Sequence, residues 1–121
     1  MAAPNIVNVS TITAKSKQAA LDTTLTTEIL ANAASSNKVF KVNNILVANI
    51  DGSSSVDASV FITKSGGSPL AIASTIAVPA DSTLTVIDKN TAIYLEEGDN
   101  IEAGASANSD AVITINYEEL S

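Results

Sequence analysis

The sequence concentrates acidic side chains in one short segment near its C-terminal end. Four carboxylates occur there, and they belong to Glu96, Glu97, Asp99 and Glu102. Carboxylate oxygens in a flexible loop are the ligands that Ca²⁺ prefers. The spacing matches no ordered calcium-loop pattern, and an acidic turn between two strands is more simply a solvated hairpin tip. We therefore predict a structural turn, with cation binding by Glu96, Glu97 and Asp99 as the alternative.

A second candidate for metal binding surrounds an earlier turn. Asn49, Asp51 and Asp57 supply amide and carboxylate oxygens that would converge if two strands met there. Asn and Asp are also ordinary turn residues, because their side chains bond to their own backbone. The turn is the simpler interpretation, so we predict no metal site.

The residue types missing from the sequence exclude most catalytic chemistry. The chain contains no His, Cys, Trp or Arg. Without His and Cys it cannot form a Ser-His-Asp or Cys-His nucleophile, a zinc site of the usual kind, a disulfide, or the common ligand sets of haem and iron–sulfur clusters. We predict that the protein is not an enzyme and has no catalytic residues and no cofactor.

Paired carboxylates could in principle serve glycoside hydrolysis, in which an acid and a base or nucleophile flank the sugar. Sugar sites normally offer aromatic platforms as well, and aromatic residues make up only 3% of this chain. A catalytic carbohydrate cleft is therefore not expected. Tyr94 and Tyr117 are better explained as strand residues, each with a buried ring and a hydroxyl at the rim of the core. The other aromatic residues are Phe40 and Phe61.

The charge balance argues against binding to nucleic acids or membranes. The formal net charge is −7 and the pI is near 4.2. A nucleic-acid interface needs clustered Lys and Arg to neutralise phosphates, and an anionic membrane surface would repel this chain. Residues 1–5 contain no basic targeting region, and no stretch approaches the ~18 consecutive apolar residues of a membrane span. We expect a protein that is made and kept, or assembled, in the cytosol.

Two of the lysines, Lys15 and Lys17, lie close together near the N-terminus. They could contact an acidic surface of a partner protein. Lysines on an edge strand also prevent edge-to-edge aggregation, and we favour that interpretation.

The aliphatic residues predict strands as the elements that position these groups. Period-two alternation is typical of a strand with one buried side. Along residues 39–50 this pattern places Phe40, Val42, Leu46, Ala48 and Ile50 on one face, with an interruption at Asn44. Residues 51–55 then form a turn, and Val56, Ala58, Val60 and Ile62 alternate along a second strand. We predict that these two strands form an antiparallel hairpin.

Further turn clusters divide the rest of the chain into short strands. They occupy residues 65–69, 79–82, 89–90, 96–100 and 106–110. We count about seven strands between Val39 and Leu120, a rhythm typical of a sandwich or barrel. In the first 38 residues, Leu21, Leu25 and Ile29 fit a helix or a strand; the threonines between them favour a strand. We predict one domain, with residues 1–38 as an N-terminal arm or strand segment and residues 39–121 as the sandwich core.

Several short segments carry a resemblance to a known class of protein. They are the strand end Ala48-Asn49-Ile50-Asp51-Gly52, Val78-Pro79-Ala80, Tyr94-Leu95-Glu96-Glu97-Gly98-Asp99 and Asn116-Tyr117-Glu118-Glu119. The chain from Lys41 onward resembles small virion structural proteins of tailed bacteriophages, most of all marine phages. The resemblance implies a jelly-roll-like antiparallel β-sandwich of about seven to nine strands and a structural role in the particle. It implies no catalytic or ligand residues.

The resulting hypothesis is a capsid decoration (cement) protein in the virion, assembled in the host cytoplasm. We expect a homotrimer that bridges subunits of the major capsid protein, with the N-terminal segment adding a strand to a neighbour's sheet edge. One alternative is a tail, neck or fibre-associated virion protein. Another is a receptor- or carbohydrate-binding module.

Overall fold

The computed structural model describes residues 7–121, which form nine β-strands and one 3-10 turn. None of these residues forms a helix long and apolar enough to cross a bilayer. The 3-10 turn spans Lys89–Thr91. The strands are β1 (Ile12–Ala20), β2 (Thr27–Ala31), β3 (Val39–Asn49), β4 (Val56–Thr63), β5 (Leu70–Val78), β6 (Thr83–Ile87), β7 (Ile93–Leu95), β8 (Asn100–Ala105) and β9 (Ala111–Leu120).

The strands form two antiparallel sheets that pack face to face. The first sheet has the order β1-β9-β3-β6, and the second has the order β2-β8-β4-β5. β7 also pairs with β3, beside Phe40–Val42, whereas β6 pairs beside Ile45–Ala48. β6 and β7 are therefore two parts of one interrupted strand. The order is that of a jelly roll, which confirms the predicted fold class and the seven strands between Val39 and Leu120.

The core lies between the sheets and consists almost entirely of aliphatic side chains. Ile45, Ile101, Ile113 and Ile115 are each completely buried. β-branched residues suit this arrangement because they pack well on a pleated surface. One aromatic pair, Phe40 and Tyr117 with ring centroids 5.1 Å apart, closes the core at one end.

The loops gather at the two ends of the sandwich. At the first, here called the four-loop end, lie residues 21–26, 50–55, 79–82 and 106–110. At the opposite end, the three-loop end, lie residues 32–38, 64–69 and 96–99. The start of β1 and the end of β9 also lie there, because Ile12 pairs with Leu120.

The predicted buried face of β3 is wrong beyond its first half. Phe40 and Val42 are buried as expected, but Ile45 and Val47 follow them into the core instead of Leu46 and Ala48. The pairing of β3 with β9 shifts between Val42 and Asn44. Such a β-bulge adds one residue to one strand and moves every later side chain to the opposite face. The next predicted core residue, Ile50, is 59% exposed.

The predicted hairpin between β3 and β4 is also wrong. The two strands belong to different sheets, and residues 50–55 carry the chain from one sheet to the other. β3 already has β9 on one side and β6 and β7 on the other, so neither of its edges is free for β4. The hairpin of this region is instead β4–β5, joined by residues 64–69.

The segment assigned to residues 1–38 contributes an edge strand to each sheet. β1 pairs with β9 without interruption from Ile12 to Ala20, and β2 pairs with β8. The strand favoured around Leu21, Leu25 and Ile29 begins only at Thr27, because residues 21–26 form a loop. Residues 1–6 of the predicted arm lie outside the described residues.

Candidate functional site

The acidic turn places one carboxylate, that of Asp99, inside the protein. This side chain is almost fully buried. Its Oδ1 accepts a hydrogen bond from the N–H of Ser65 at 2.9 Å. Its Oδ2 accepts one from the N–H of Glu96 at 2.8 Å and one from the ammonium group of Lys64 at 2.5 Å. Both oxygens are thus already bonded to donors of the chain itself.

The electrostatics of Asp99 follow from these bonds. Burial alone would raise its pKa, but the Lys64 ammonium and the N–H groups of Ser65 and Glu96 outweigh that effect and hold the pKa below its usual value. The bond to Asp99 conversely raises the pKa of Lys64. The pair therefore stays ionised, as an internal clamp between the β4–β5 loop and the β7–β8 loop.

The other carboxylates of the acidic segment point to separate partners. The Glu97 carboxylate accepts a hydrogen bond from the N–H of Asn37 at 2.9 Å, and that of Glu102 accepts one from the Thr63 hydroxyl. Glu96 is exposed, 3.4 Å from Lys64. Within residues 7–121, no three acidic side chains are arranged to hold a metal ion. The geometry of the turn is therefore that of a structural tie.

The second predicted group, around Asn49, does not converge either. Asn49 is buried, and its Nδ2 donates to the carbonyls of Ser54 and Val78, both at 2.9 Å. Its Oδ1 accepts from the N–H of Asp51. Asp57 lies on β4 and lines a different part of the surface. Asn49 therefore joins two loops at the four-loop end.

Asn32 has the same role at the three-loop end, and the sequence pattern did not predict it. It is buried, and its Nδ2 donates to the carbonyls of Lys38 at 2.8 Å and Leu95 at 3.1 Å. Its Oδ1 accepts from the Ser36 hydroxyl. The only sequence signal is an Asn directly after a strand, which also describes many solvated turns.

The prediction of a buried ring is confirmed for Tyr117 and wrong for Tyr94. Tyr117 is buried against Phe40, and burial together with the nearby Glu119 carboxylate raises its pKa. Tyr94 lies on the outer side of β7 and is 45% exposed. The Glu119 carboxylate accepts a hydrogen bond from the ammonium group of Lys38 at 3.0 Å and forms an ion pair with that of Lys15 at 3.5 Å.

Two depressions mark the outer faces of the sheets. The larger, of about 380 Å³, lies over β1, β9 and the bulge of β3, where Ser16, Asn43, Asn116 and Glu118 line it. The smaller, of about 270 Å³, lies on the second sheet, where Leu25, Asp57, Ser59 and Ser106 are among its lining residues. Both are open and shallow.

Comparison of the chain with protein-family models, with curated proteins and with solved structures finds no match. The surfaces that the fold leaves exposed are therefore the basis for the proposed function.

Proposed function

We propose that this protein is a structural module that works by binding other proteins, and that it decorates a phage capsid as a bridge between subunits of the major capsid protein. The resemblance of the chain from Lys41 onward to virion proteins supports this role. Jelly rolls occur in viral capsid domains and also in lectins, so the fold by itself does not choose the function.

The observation that carries the proposal is the apolar surface of β5. Among residues 7–121 this strand pairs only with β4, so it forms an edge of the second sheet. Leu70 is 72% exposed, and Ile72 and Ile76 are each 40% exposed. All three are large aliphatic side chains of one edge strand, and exposed apolar surface of this kind is typical of contacts with other proteins.

Assembly on a repeating lattice makes such modest contacts sufficient. A trimer that touches several capsid subunits gains effective concentration at each further contact. The net charge of −7 keeps free copies soluble and away from nucleic acid before they bind.

Electron cryo-microscopy of intact virions tests the proposal. Density for this jelly roll on the outer surface of the shell, in hundreds of copies, would support the decoration role. A few to some dozens of copies at the tail, neck or fibre base would support the alternative virion role. Complete absence of the chain from purified virions would overturn both.

A carbohydrate- or receptor-binding module is the second candidate, because of the depression of about 380 Å³ on the first sheet. Asn43, Asn116 and Glu118 offer polar groups there. Its one aromatic residue, Tyr117, has its ring packed against Phe40 in the core and offers no exposed platform. A glycan array without any bound sugar would end this alternative.

A further inference from the structure

The first sheet has one long free edge along β1. This nine-residue strand pairs with β9 on one side, and no strand formed by residues 7–121 pairs with its other side. The register with β9 is continuous, and β1 contains no proline and no bulge. Natural proteins usually shorten, twist or interrupt such edges. With respect to the part of the chain that the structure describes, the outer edge of β1 is therefore open to another strand.

The hydrogen bonds show which backbone groups of β1 are unused. Thr11 and Ser121 exchange two hydrogen bonds, and Leu21 donates to Ala111 at 2.8 Å. Antiparallel pairing alternates every two residues, so the odd-numbered residues between Thr11 and Leu21 face β9. The N–H and C=O groups that face the free edge belong to Ile12, Ala14, Ser16, Gln18 and Ala20.

The charge of this strand differs from that of the rest of the molecule. β1 contains two lysines and no carboxylate, in a protein of net charge −7. Lys15 and Lys17 lie opposite Tyr117 and Ile115, so they are on the same face of the strand. Residues two apart on a strand are roughly 7 Å apart. Lys15 reaches the Glu119 carboxylate at 3.5 Å, whereas Lys17 makes no ion pair within residues 7–121.

A second copy of the chain is a poor occupant of this edge. If two β1 strands paired antiparallel along all nine residues, Lys15 of each copy would lie opposite Lys17 of the other. Like charges directly opposite each other destabilise a strand pair. A strand with carboxylates at alternate positions would instead be attracted to both lysines.

We propose that the free edge of β1 binds an extended acidic segment of a different protein, which adds a strand to the first sheet. Main-chain hydrogen bonds to the five even-numbered residues supply affinity, and Lys15 and Lys17 select carboxylates spaced two residues apart. This inference rests on the proposed assembly function and names the chemistry of the partner segment. It also gives the lysines a recognition role beyond protection of the edge.

Synthetic peptides as long as β1 provide the test. One alternates Thr and Glu, and the matched control alternates Thr and Gln. Binding to the full-length protein is followed by NMR titration at low and high salt. We expect the Glu peptide to bind at least about tenfold more tightly than the Gln peptide, with the difference reduced by salt. Equal binding of the two peptides, or no binding of the Glu peptide at about 1 mM, would overturn the proposal.

Three variants locate the binding site. The double variant Lys15→Glu with Lys17→Glu should abolish binding, whereas Lys89→Glu, in the 3-10 turn away from β1, should leave it unchanged. Ser16→Pro removes an N–H that faces the free edge and leaves the hydrogen bonds to β9 in place, so the protein should fold and lose peptide binding. Circular dichroism checks the fold. Undiminished binding by folded Ser16→Pro would contradict strand addition.

The outcomes separate this inference from the proposed function. If the protein is found on virions but the Glu peptide does not bind, the assembly role stands and the recognition mode is wrong. If the peptide binds β1 but virions lack the protein, the virion role fails.

Discussion

At the scale of single residues, the buried polar side chains act as ties between loops. Asp99, Asn32 and Asn49 are buried, and each bonds to backbone groups that are distant in the sequence. Buried polar groups cost free energy unless they are hydrogen-bonded. Two of the candidate ligand residues in the sequence, Asp99 and Asn49, therefore already have partners within the fold.

The clamp at Asp99 predicts an acid-dependent loss of stability. Its pKa is lowered in the folded protein, so its contribution is present above the unfolded pKa, near 3.9, and is lost as the pH falls through the lower folded pKa. Asp99→Asn replaces one of the two carboxylate oxygens, both of which accept hydrogen bonds, with an NH₂ group. The variant should therefore lower the free energy of unfolding by about 1–3 kcal/mol at neutral pH. Urea unfolding between neutral pH and about pH 2 measures the difference, which should shrink below about pH 4.

Glu96→Gln is the control for this clamp, because Glu96 is exposed and its pairing with Lys64 is longer. It should change stability by less than about 0.5 kcal/mol. A stability difference between Asp99→Asn and the native protein that stays constant from neutral to acid pH would contradict the assignment.

At Thr75, in contrast to Asp99, we expect a substitution to raise the stability of the fold. It has φ of +52°, a conformation that strains a β-branched residue, and its N–H donates to the Ser59 hydroxyl at 2.9 Å. Thr75→Gly relieves the strain and, after the entropy cost of glycine, should raise stability by up to about 1 kcal/mol. The matched control is Ser74→Gly, at a neighbouring exposed residue without a positive φ. It should lower stability by about 0.5–1 kcal/mol. Thermal unfolding of both variants measures the two changes in stability. An equal loss of stability in Thr75→Gly and Ser74→Gly would contradict the idea that Thr75 is strained.

The sequence predicted the acidic turn but not the partners of its carboxylates. Asp99 meets Ser65 and Lys64, which lie 34 and 35 residues away in the chain. Nothing in the local pattern distinguishes a carboxylate that bonds across two loops from one that faces water. That information exists only when the sheets are assembled.

At the scale of elements, strand positions were predictable and strand partners were not. Alternating aliphatic residues marked β4 and β9 because each has one side in the core. The bulge in β3 and the crossing from β3 to β4 depend on which strand edges are already occupied. Period-two patterns contain no information about occupied edges.

The connection between β3 and β4 is tested through Asn49, whose hydrogen bonds should contribute to stability. Asn49 donates to two carbonyls and accepts from the N–H of Asp51. Asn49→Asp keeps the acceptor but places a carboxylate oxygen against both carbonyls, so it should lower stability by about 3 kcal/mol or more at neutral pH. Burial against two carbonyls raises the pKa of the new carboxyl group, so part of this loss should be recovered as the pH falls and the group gains a donor.

Asn44→Asp is the matched control. The oxygen of Asn44 accepts a hydrogen bond from Asn116 Nδ2 at 2.7 Å, and within residues 7–121 its amide nitrogen donates none, so the aspartate retains the bond. Chemical unfolding at two pH values compares the variants. Similar losses for Asn44→Asp and Asn49→Asp would show that the two donor bonds at the crossing contribute little.

At the scale of the whole molecule, two of the sheet edges of the jelly roll differ in their chemistry. β1 offers backbone groups and positive charge, whereas β5 offers aliphatic side chains. The two strands belong to different sheets. The proposed role as a bridge between shell subunits requires two such contacts on one copy, and we assign them to these two edges.

The β5 surface yields the last prediction, which separates binding from stability. Leu70→Thr combined with Ile72→Thr places a β-branched residue, which suits a strand, at both positions and removes exposed apolar surface. Because both side chains are exposed, we expect the free energy of unfolding to change by less than about 1 kcal/mol. The number of copies retained on virions should nevertheless fall severalfold. Each Å² of apolar contact that is lost removes roughly 25 cal/mol of binding free energy, and this loss is repeated at every contact. Ile50→Thr, an equally apolar and exposed change at the four-loop end, should leave occupancy unchanged. Quantitative gel analysis of purified virions gives the occupancy, and native occupancy for the β5 variant would place the contact on another surface.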